Sequence, residues 1–453
     1  MGLSPWPRFD DNAILSAVKT HHTDTRPAWR LPSSKALTLA ALLLWLIVGA
    51  IAVNRQLTNG SADFREFWEV TRHTVHQYAD ERTDYVVPFT YPPLFHLLLA
   101  AFSWMPLALG ASLWFLFCSG CAVSAIWMLR RIAGTDESPL PARYTALAVF
   151  MALGVIANDL IMGNANLVVL FLIVSMLYAV QRGRAGVAGL ALAAGAAFKI
   201  LPGIFLVYFL YKRQYRVVAH ALLGCMLCFL VLPMLFMGPA RGFHLVSQWT
   251  RQMLPMLQEK SGAKELWYEK DSIYRGTNQS LVAVVNRFLR PVPSIRGQQP
   301  MGTVNVADLP RGVVNAVYIA LVAGLLATAA WLVRIPGAPG HTLPAHALEY
   351  GLVVLLMLLL SKVTWVNYFV HMIVAYFAAA ACLHRNAPGA TAHRYTRNAF
   401  AVSFLLSTLG GLAIAQAYAF PLLGALTMGA ALAWNLHRER QLLHQSITIG
   451  EPQ

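Results

Sequence analysis

Charge is what this sequence has least of. Only 12% of its 453 residues are Asp, Glu, Lys or Arg, about half the share found in soluble domains. Acids are scarcest, twenty against thirty-five Lys and Arg. With 57% hydrophobic residues and a mean hydropathy of +0.53, a soluble globular chain is excluded and a polytopic membrane protein is indicated. The net charge of +15 does not signal nucleic acid. The Lys and Arg residues fall between apolar runs, as loops obeying the positive-inside rule do. Cysteine is rare as well. Cys118/Cys121 and Cys225/Cys228 have C-x-x-C spacing, yet each pair lies inside an apolar run with no His or acid beside it. They read as small packing residues rather than metal or redox centres, and Cys382 adds no partner in a loop. No internal repeat and no glycine-rich nucleotide loop appears, and neither a metal nor a cofactor is expected.

What is present is a series of apolar runs with basic punctuation. A polar stretch, residues 1–35, precedes the first run and is too long for a cleaved signal peptide. It is expected in the cytoplasm, with Ala36 to Val53 crossing outward. Runs then follow at Leu94–Met105, Leu107–Leu129, Tyr144–Met162, Leu167–Val180, Val187–Ile200, Pro202–Tyr211 and Val217–Met237. Beyond a long segment, 238–311, come Val313–Val333, Leu348–Leu360, Val366–Leu383, Ala399–Tyr418 and Leu422–Leu436, and a basic cytoplasmic tail, 438–453, closes the chain. Placing every basic cluster inside gives about twelve crossings, eleven to thirteen allowing for the short run at Leu94–Met105. One transmembrane domain, 36–437, is expected in the inner (cytoplasmic) membrane, with extracytoplasmic loops at 54–93 and 238–311. In the second loop, Leu281, Val284, Val285, Phe288 and Leu289 share one face of a short amphipathic helix, and the remainder reads as a flexible cover. Asn278-Gln-Ser280 matches a glycosylation sequon, a pattern short enough to arise by chance.

The first loop holds six of the twenty acids: Asp63, Glu66, Glu69, Asp80, Glu81 and Asp84. Phe64, Phe67, Trp68, Thr71, Val75 and Tyr78 recur at three- and four-residue steps, predicting an amphipathic helix lying along the membrane surface. Asp63 stands at its start. Elsewhere, polar residues gather at outward ends of spans: Asn158, Asp159, Asn164, Asn166, Lys199, Lys362, Asn367 and His371, with Arg275 in the second loop. A charge at mid-bilayer costs about 2.5–3.5 kcal/mol on insertion scales, so such positions call for a reason.

Asp63 before an aromatic helix and Tyr91-Pro-Pro93, then Gly163-Asn-Ala-Asn166, Ala197-Phe-Lys-Ile-Leu-Pro202, Asn278-Gln-Ser-Leu281 and Trp365-Val-Asn-Tyr368, taken in that order, resemble glycosyltransferase family 87. The resemblance implies a GT-C-type, all-α bundle and a metal-independent, inverting enzyme. It would move one sugar, mannose-like or arabinofuranose-like, from a polyprenyl phosphate to a lipid-linked or envelope glycan, with membrane lipids around it and no nucleic-acid partner. It implies Asp63 as general base, Lys199 and Arg275 at the donor phosphate, and Asn164, His371, Asn278 and Tyr91 as substrate contacts. Two positions depart from the family's usual pattern: Asn164 stands where Gln is common, and Asn367-Tyr368 where His-Tyr is common. His371, one turn on, is the substitute for the missing histidine.

The chemistry is consistent with that implication. An acceptor hydroxyl does not ionise beforehand, so a carboxylate must take its proton as the bond forms. Cations offset the charge gathering on the leaving phosphate. Plainer readings stay open for each residue. Asp63 with Glu66 three residues on forms a capping box, and Tyr91-Pro-Pro93 is a rigid turn. Lys199 can snorkel to headgroups, His371 can be a packed core histidine, and Trp365 and Tyr368 can belong to an interfacial belt. At the level of function, the rivals are a flippase or transporter of lipid-linked sugars and a glycan polymerase or ligase. The first should show repeated halves with matching broken helices; the second, an arginine-rich loop in place of an acidic one.

Overall fold

The computed structural model describes residues 34–58, 62–72, 91–258, 272–294, 302–334 and 343–449. The polar N-terminal stretch, the C-terminal half of the first-loop helix with Asp80, Glu81 and Asp84, and much of the second loop's charged middle lie outside the described residues.

Every named element among the described residues is helical. α1 is Ser34–Thr58, α2 Asp63–Thr71, α3 Pro93–Ser103, α4 Leu107–Ala133, α5 Ala142–Met162 and α6 Asn166–Gln181. α7 spans Ala185–Phe198, α8 Ile204–Tyr211, α9 Tyr215–Met226, α10 Leu232–Met237, α11 Pro239–Gln258 and α12 Leu281–Leu289. α13 is Arg311–Val333, α14 Leu343–Leu360, α15 Ile373–Arg385, α16 Thr391–Leu409, α17 Ala413–Ala417 and α18 Phe420–Ile449. Among the described residues, six helical stretches are long and apolar enough to cross a membrane, and five more apolar helices are shorter. Pro93–Ser103, 11 residues, is one of the short ones. The structure is thus an all-α, multi-pass membrane protein. Twelve crossings were expected; the six long stretches and five shorter apolar helices among the described residues do not establish that number.

Two helices show what the bilayer does to packing. α13 buries only Val314, Leu332 and Val333 and exposes Ile319 and Leu321 along its length. Large apolar side chains left bare in this way face lipid rather than water. α15 is the opposite, with every residue from Ile373 to Leu383 buried. Its alanines let neighbouring backbones approach closely, and close van der Waals contact is what holds helices together where lipid is as apolar as leucine. The pattern 3.6 residues apart that marks a one-sided helix is therefore absent from α15; it is apolar all round because it is central.

Local breaks fall where the sequence breaks the ladder. α7 ends at Phe198, Lys199 is extended (φ −145°, ψ 135°), and Leu201–Gly203 makes a 3₁₀ turn before α8. Pro202, which has no N–H to donate, lies in that turn. α9 and α10 are joined by a π-helical turn, Leu227–Val231, just before Pro233, and together cross as one stretch. α15 is preceded by a 3₁₀ helix, Val366–Met372. The second loop is more ordered than a cover: it contains α11 and α12, and Ser280 caps α12 by accepting a hydrogen bond from the Ala283 N–H at 3.3 Å. The chain's last helix also continues through 438–449, where a tail was expected.

Candidate active site

The turn between α5 and α6 brings the site together. Gly163 ends α5 in the left-handed region (φ 71°), and a Cβ there would stand 2.6 Å from the Cβ of Phe64. Glycine alone permits that approach, and it seats the start of α2 on the turn. Gln56 locks the seat. Its amide donates to the carbonyl oxygens of Ile161 and Met162 at 3.1 and 3.2 Å, and its own oxygen accepts from the Arg65 N–H at 3.1 Å. The Trp114 indole donates to the Gly163 carbonyl oxygen at 2.9 Å. Asp63, next to fully buried Phe64, is thereby held against Asn164.

The capping-box reading of Asp63 is not what the structure shows. The N-cap is Ala62, no side chain caps it, and Asp63 is already the first helical residue. Its carboxylate accepts instead from the Asn164 amide at 2.8 Å. Lys199 donates to the side-chain amide oxygen (Oδ1) of Asn164 at 3.1 Å and to that of Asn166 at 2.6 Å. The Asn166 amide in turn donates to Asp159 at 2.7 Å. Carboxylate, amide and ammonium thus form one hydrogen-bonded unit from the start of α2, the turn between α5 and α6, and the residue after α7. At 6% exposure Lys199 is no snorkelling lysine.

Aromatic rings complete the lysine's surroundings. Its Nζ lies 5.2 Å from the Tyr91 ring centre and 4.1 Å from that of Tyr368, cation–π distances that favour the ammonium. Tyr91 stacks on Phe95 at 4.3 Å and meets Phe67 edge-on at 4.9 Å. Tyr91-Pro-Pro93 is thus more than a turn: Pro93 starts α3 and Tyr91 is buried under the lysine. Arg275 lies over the Trp365 ring at 5.5 Å. Trp365 is the extended residue just before the 3₁₀ helix Val366–Met372 that carries Tyr368, so the two rings come from one short segment.

The other expected residues have defined places. Asn278 is fully buried, with its amide donating to the carbonyl oxygens of Ile273 and Lys362 and its oxygen accepting from the N–H groups of Ser280 and Thr364. Both amide hydrogens are taken, so it clips the second loop to the segment before Trp365 and has none left for a ligand. His371 is buried, its Nδ1 2.7 Å from the Tyr368 carbonyl oxygen and its Nε2 buried without a hydrogen-bond partner. A carbonyl cannot donate, so Nδ1 carries the hydrogen and Nε2 is a buried acceptor. Arg287 was not singled out by sequence reasoning. It is fully buried and donates to the carbonyl oxygens of Tyr274, Arg275, Asn278 and Ala417, holding the strip that carries Arg275.

Electrostatics suit a base. Burial raises the Asp63 carboxyl above its ordinary value, and the hydrogen bond from Asn164 and the charges of Lys199 and Arg55 pull it part of the way back. An apolar cavity of about 380 Å³ lies between α3 and α10, lined by Leu94, Leu97, Leu98, Phe198, Leu232 and Phe236. Among the described residues, no cluster of His, Cys, Asp and Glu is arranged to hold a metal ion.

Lipid-facing spans around a half-buried carboxylate linked through Asn164 to a buried ammonium define a multi-pass membrane protein with a polar cluster at the ends of its helices. The chain belongs to glycosyltransferase family 87, whose model matches residues 89–362. It is 29% identical over 228 residues to a polyprenol-phosphate-mannose-dependent alpha-(1-2)-phosphatidylinositol mannoside mannosyltransferase of Mycobacterium tuberculosis, covering 43% of this chain and 52% of the relative. It is 28% identical over 215 residues to an alpha-(1->3)-arabinofuranosyltransferase of the same species, covering 43% of this chain and 47% of the relative. A pentamannoside mannosyltransferase of Mycolicibacterium smegmatis, likewise polyprenol-phosphate-mannose-dependent, is 27% identical over 143 residues, 31% of this chain and 34% of the relative. The matches span from a third to about half of these relatives' lengths. Among solved structures, ArnT from Cupriavidus metallidurans superposes over 88% of this chain and 78% of its own at 13% identity and a TM-score of 0.41, too slight a likeness to carry an argument.

Proposed function

We infer that the protein transfers a single sugar from a polyprenyl phosphate to a hydroxyl of a lipid-linked or envelope glycan, on the extracytoplasmic side and with inversion. One observation carries this reading: the Asp63 carboxylate and the Lys199 ammonium share a single amide, Asn164. Base and phosphate contact are thereby held at a fixed spacing. The acceptor oxygen attacks the anomeric carbon from the face opposite the phosphate, and its proton passes to Asp63. The bond from carbon to phosphate oxygen breaks, and polyprenyl phosphate leaves with the electron pair. The phosphodiester's single charge becomes that of a monoester, so Lys199 and Arg275 hold the transition state more tightly than the ground state, which is what speeds the step. His371 and Tyr91 line the sugar's side, and Asn278 acts through the loop it clips.

A flippase would need the cations but no carboxylate fixed beside them. The experiment is Asp63→Asn, assayed with polyprenyl-phosphate-mannose and polyprenyl-phosphate-arabinose. Transfer should fall by about 10²–10⁴ while donor binding and thermal stability stay near wild type; turnover within a few-fold of wild type would exclude Asp63 as the base. The cavity beside Phe198 would take the first isoprene units of the donor. Leu97→Trp should then raise KM for long-chain donors and spare one- or two-isoprene analogues. Equal effects on both would remove the chain from that cavity.

A further inference from the structure

Lys199 is held from two sides by a repeated device. On one side run Asp63, the Asn164 amide and the lysine; on the other run Asp159, the Asn166 amide and the same lysine. Each carboxylate accepts from the Nδ2 of its asparagine, and that fixes which way the amide points, because an amide that donates at one end must present oxygen at the other. Asp159 and Asn166 are both completely buried. Of the ammonium's three hydrogens, two are engaged by the two amide oxygens, and the Tyr91 and Tyr368 rings stand beside the third.

The geometry points to Asp159 as a positioning residue for sugar transfer, one that orients Asn166 and through it aims the Lys199 ammonium at the donor phosphate. This rests on the functional reading above. The two anchors differ in what happens to them during the reaction. Asp63 gains the acceptor's proton and loses its charge as the phosphate gains one. Its hold on the Asn164 amide therefore weakens at the moment the lysine is needed. Asp159 lies behind Asn166, also accepts from the Leu167 N–H, and receives no proton from the acceptor. A lysine anchored only through Asp63 would loosen during the step; the second anchor prevents it.

The plainer role for Asp159 is a helix cap, since its second oxygen also accepts from the Leu167 N–H at 3.3 Å at the start of α6. Asp159→Asn separates the two. Its carbonyl oxygen can still accept from Leu167, but its amide cannot accept from Asn166, which must turn and present hydrogens to the lysine. Binding of polyprenyl phosphate alone and transfer from the sugar-charged donor are both measured in the purified full-length protein. Asp159→Asn should weaken binding of polyprenyl phosphate on the order of tenfold and lower kcat by at least as much, with the acceptor KM unchanged. Combined with Lys199→Ala, it should add nothing to the loss caused by Lys199→Ala alone. Losses that multiply, or a lowered melting temperature with unchanged phosphate binding, would leave Asp159 a cap and overturn the proposal. If Asp159→Asn does not fold, Asn166→Ser carries the same cycle, and independence from Lys199 there overturns it equally. Absence of transfer by the wild type would count against the functional reading, whereas the phosphate-binding arm still decides the role of Asp159.

Discussion

The two ends of α8 bury charge in opposite ways. At its N-terminal end one cation, Lys199, stands between two carboxylates, Asp63 and Asp159, and touches neither; an amide intervenes each time. Past its C-terminal end one carboxylate, Glu349 on α14, is gripped directly by two cations and a phenol. Lys212 lies at 3.0 Å, Arg440 of α18 at 3.4 Å, and the Tyr208 hydroxyl donates at 2.8 Å. About 12 Å of α-helix separates the two ends. Lys212 and Arg440 also donate to the carbonyl oxygens of Val333 and Trp331 at the end of α13. The direct cluster therefore pins four helices and pairs its carboxylate in place. The amide-spaced cluster keeps its ammonium out of direct contact with either carboxylate. Direct pairing makes a staple, whereas spacing by neutral amides is what the proposed transfer reaction would use.

The largest expected effect tests the staple. Glu349→Gln keeps a partner for Tyr208 but leaves two buried cations uncompensated, which costs about 3–5 kcal/mol, a large part of a typical stability of about 5–15 kcal/mol. Thermal unfolding in detergent should show a marked drop in melting temperature, with turnover per folded molecule within a few-fold of wild type. A large loss of turnover at unchanged stability would make both clusters functional and dissolve the contrast.

A smaller effect sharpens the other side. Asp63 must be ionised to accept a proton, and its carboxyl is raised by burial and lowered by the Asn164 hydrogen bond and by Lys199. The acidic limb of the kcat/KM profile should therefore lie above the ordinary carboxylate range, activity being lost as pH falls through it. Asn164→Ala removes one of the lowering influences, so the limb should move to higher pH while the melting temperature changes little. A limb that stays in place, or moves to lower pH, would detach the profile from Asp63.

How much of this was legible beforehand depends on whether a residue's signal was local. Asp63 was legible because acids are rare here and it heads an aromatic helix. Lys199 was legible because it ends an apolar run just before a proline, and the helix does break there. Gly163-Asn-Ala-Asn166 stood out as a polar knot between apolar runs. Asn278 was legible as a motif but not as to its work, because the carbonyls that take its amide come from Ile273 and Lys362, the latter 84 positions away. Glu349 gave a fair signal, a single acid in an apolar run, which is costly without partners; its partners, 137 and 91 residues away, could not be read. Arg287 gave none, since an arginine on the polar face of a short amphipathic helix looks solvated until the backbone carbonyls around it are seen.

By itself the sequence determined the membrane class, the apolar helices and the break at Lys199, because hydropathy, proline and rare charges act over a few neighbouring residues. Tertiary structure alone decided that Asp63 faces Asn164 rather than its own helix, that Asp159 stands behind the lysine, and which buried charges touch. Those outcomes depend on how closely backbones approach at Gly163 and which helix ends meet. In lipid, where apolar surface gives no preference for one neighbour over another, close packing and the pairing of buried polar groups make that choice.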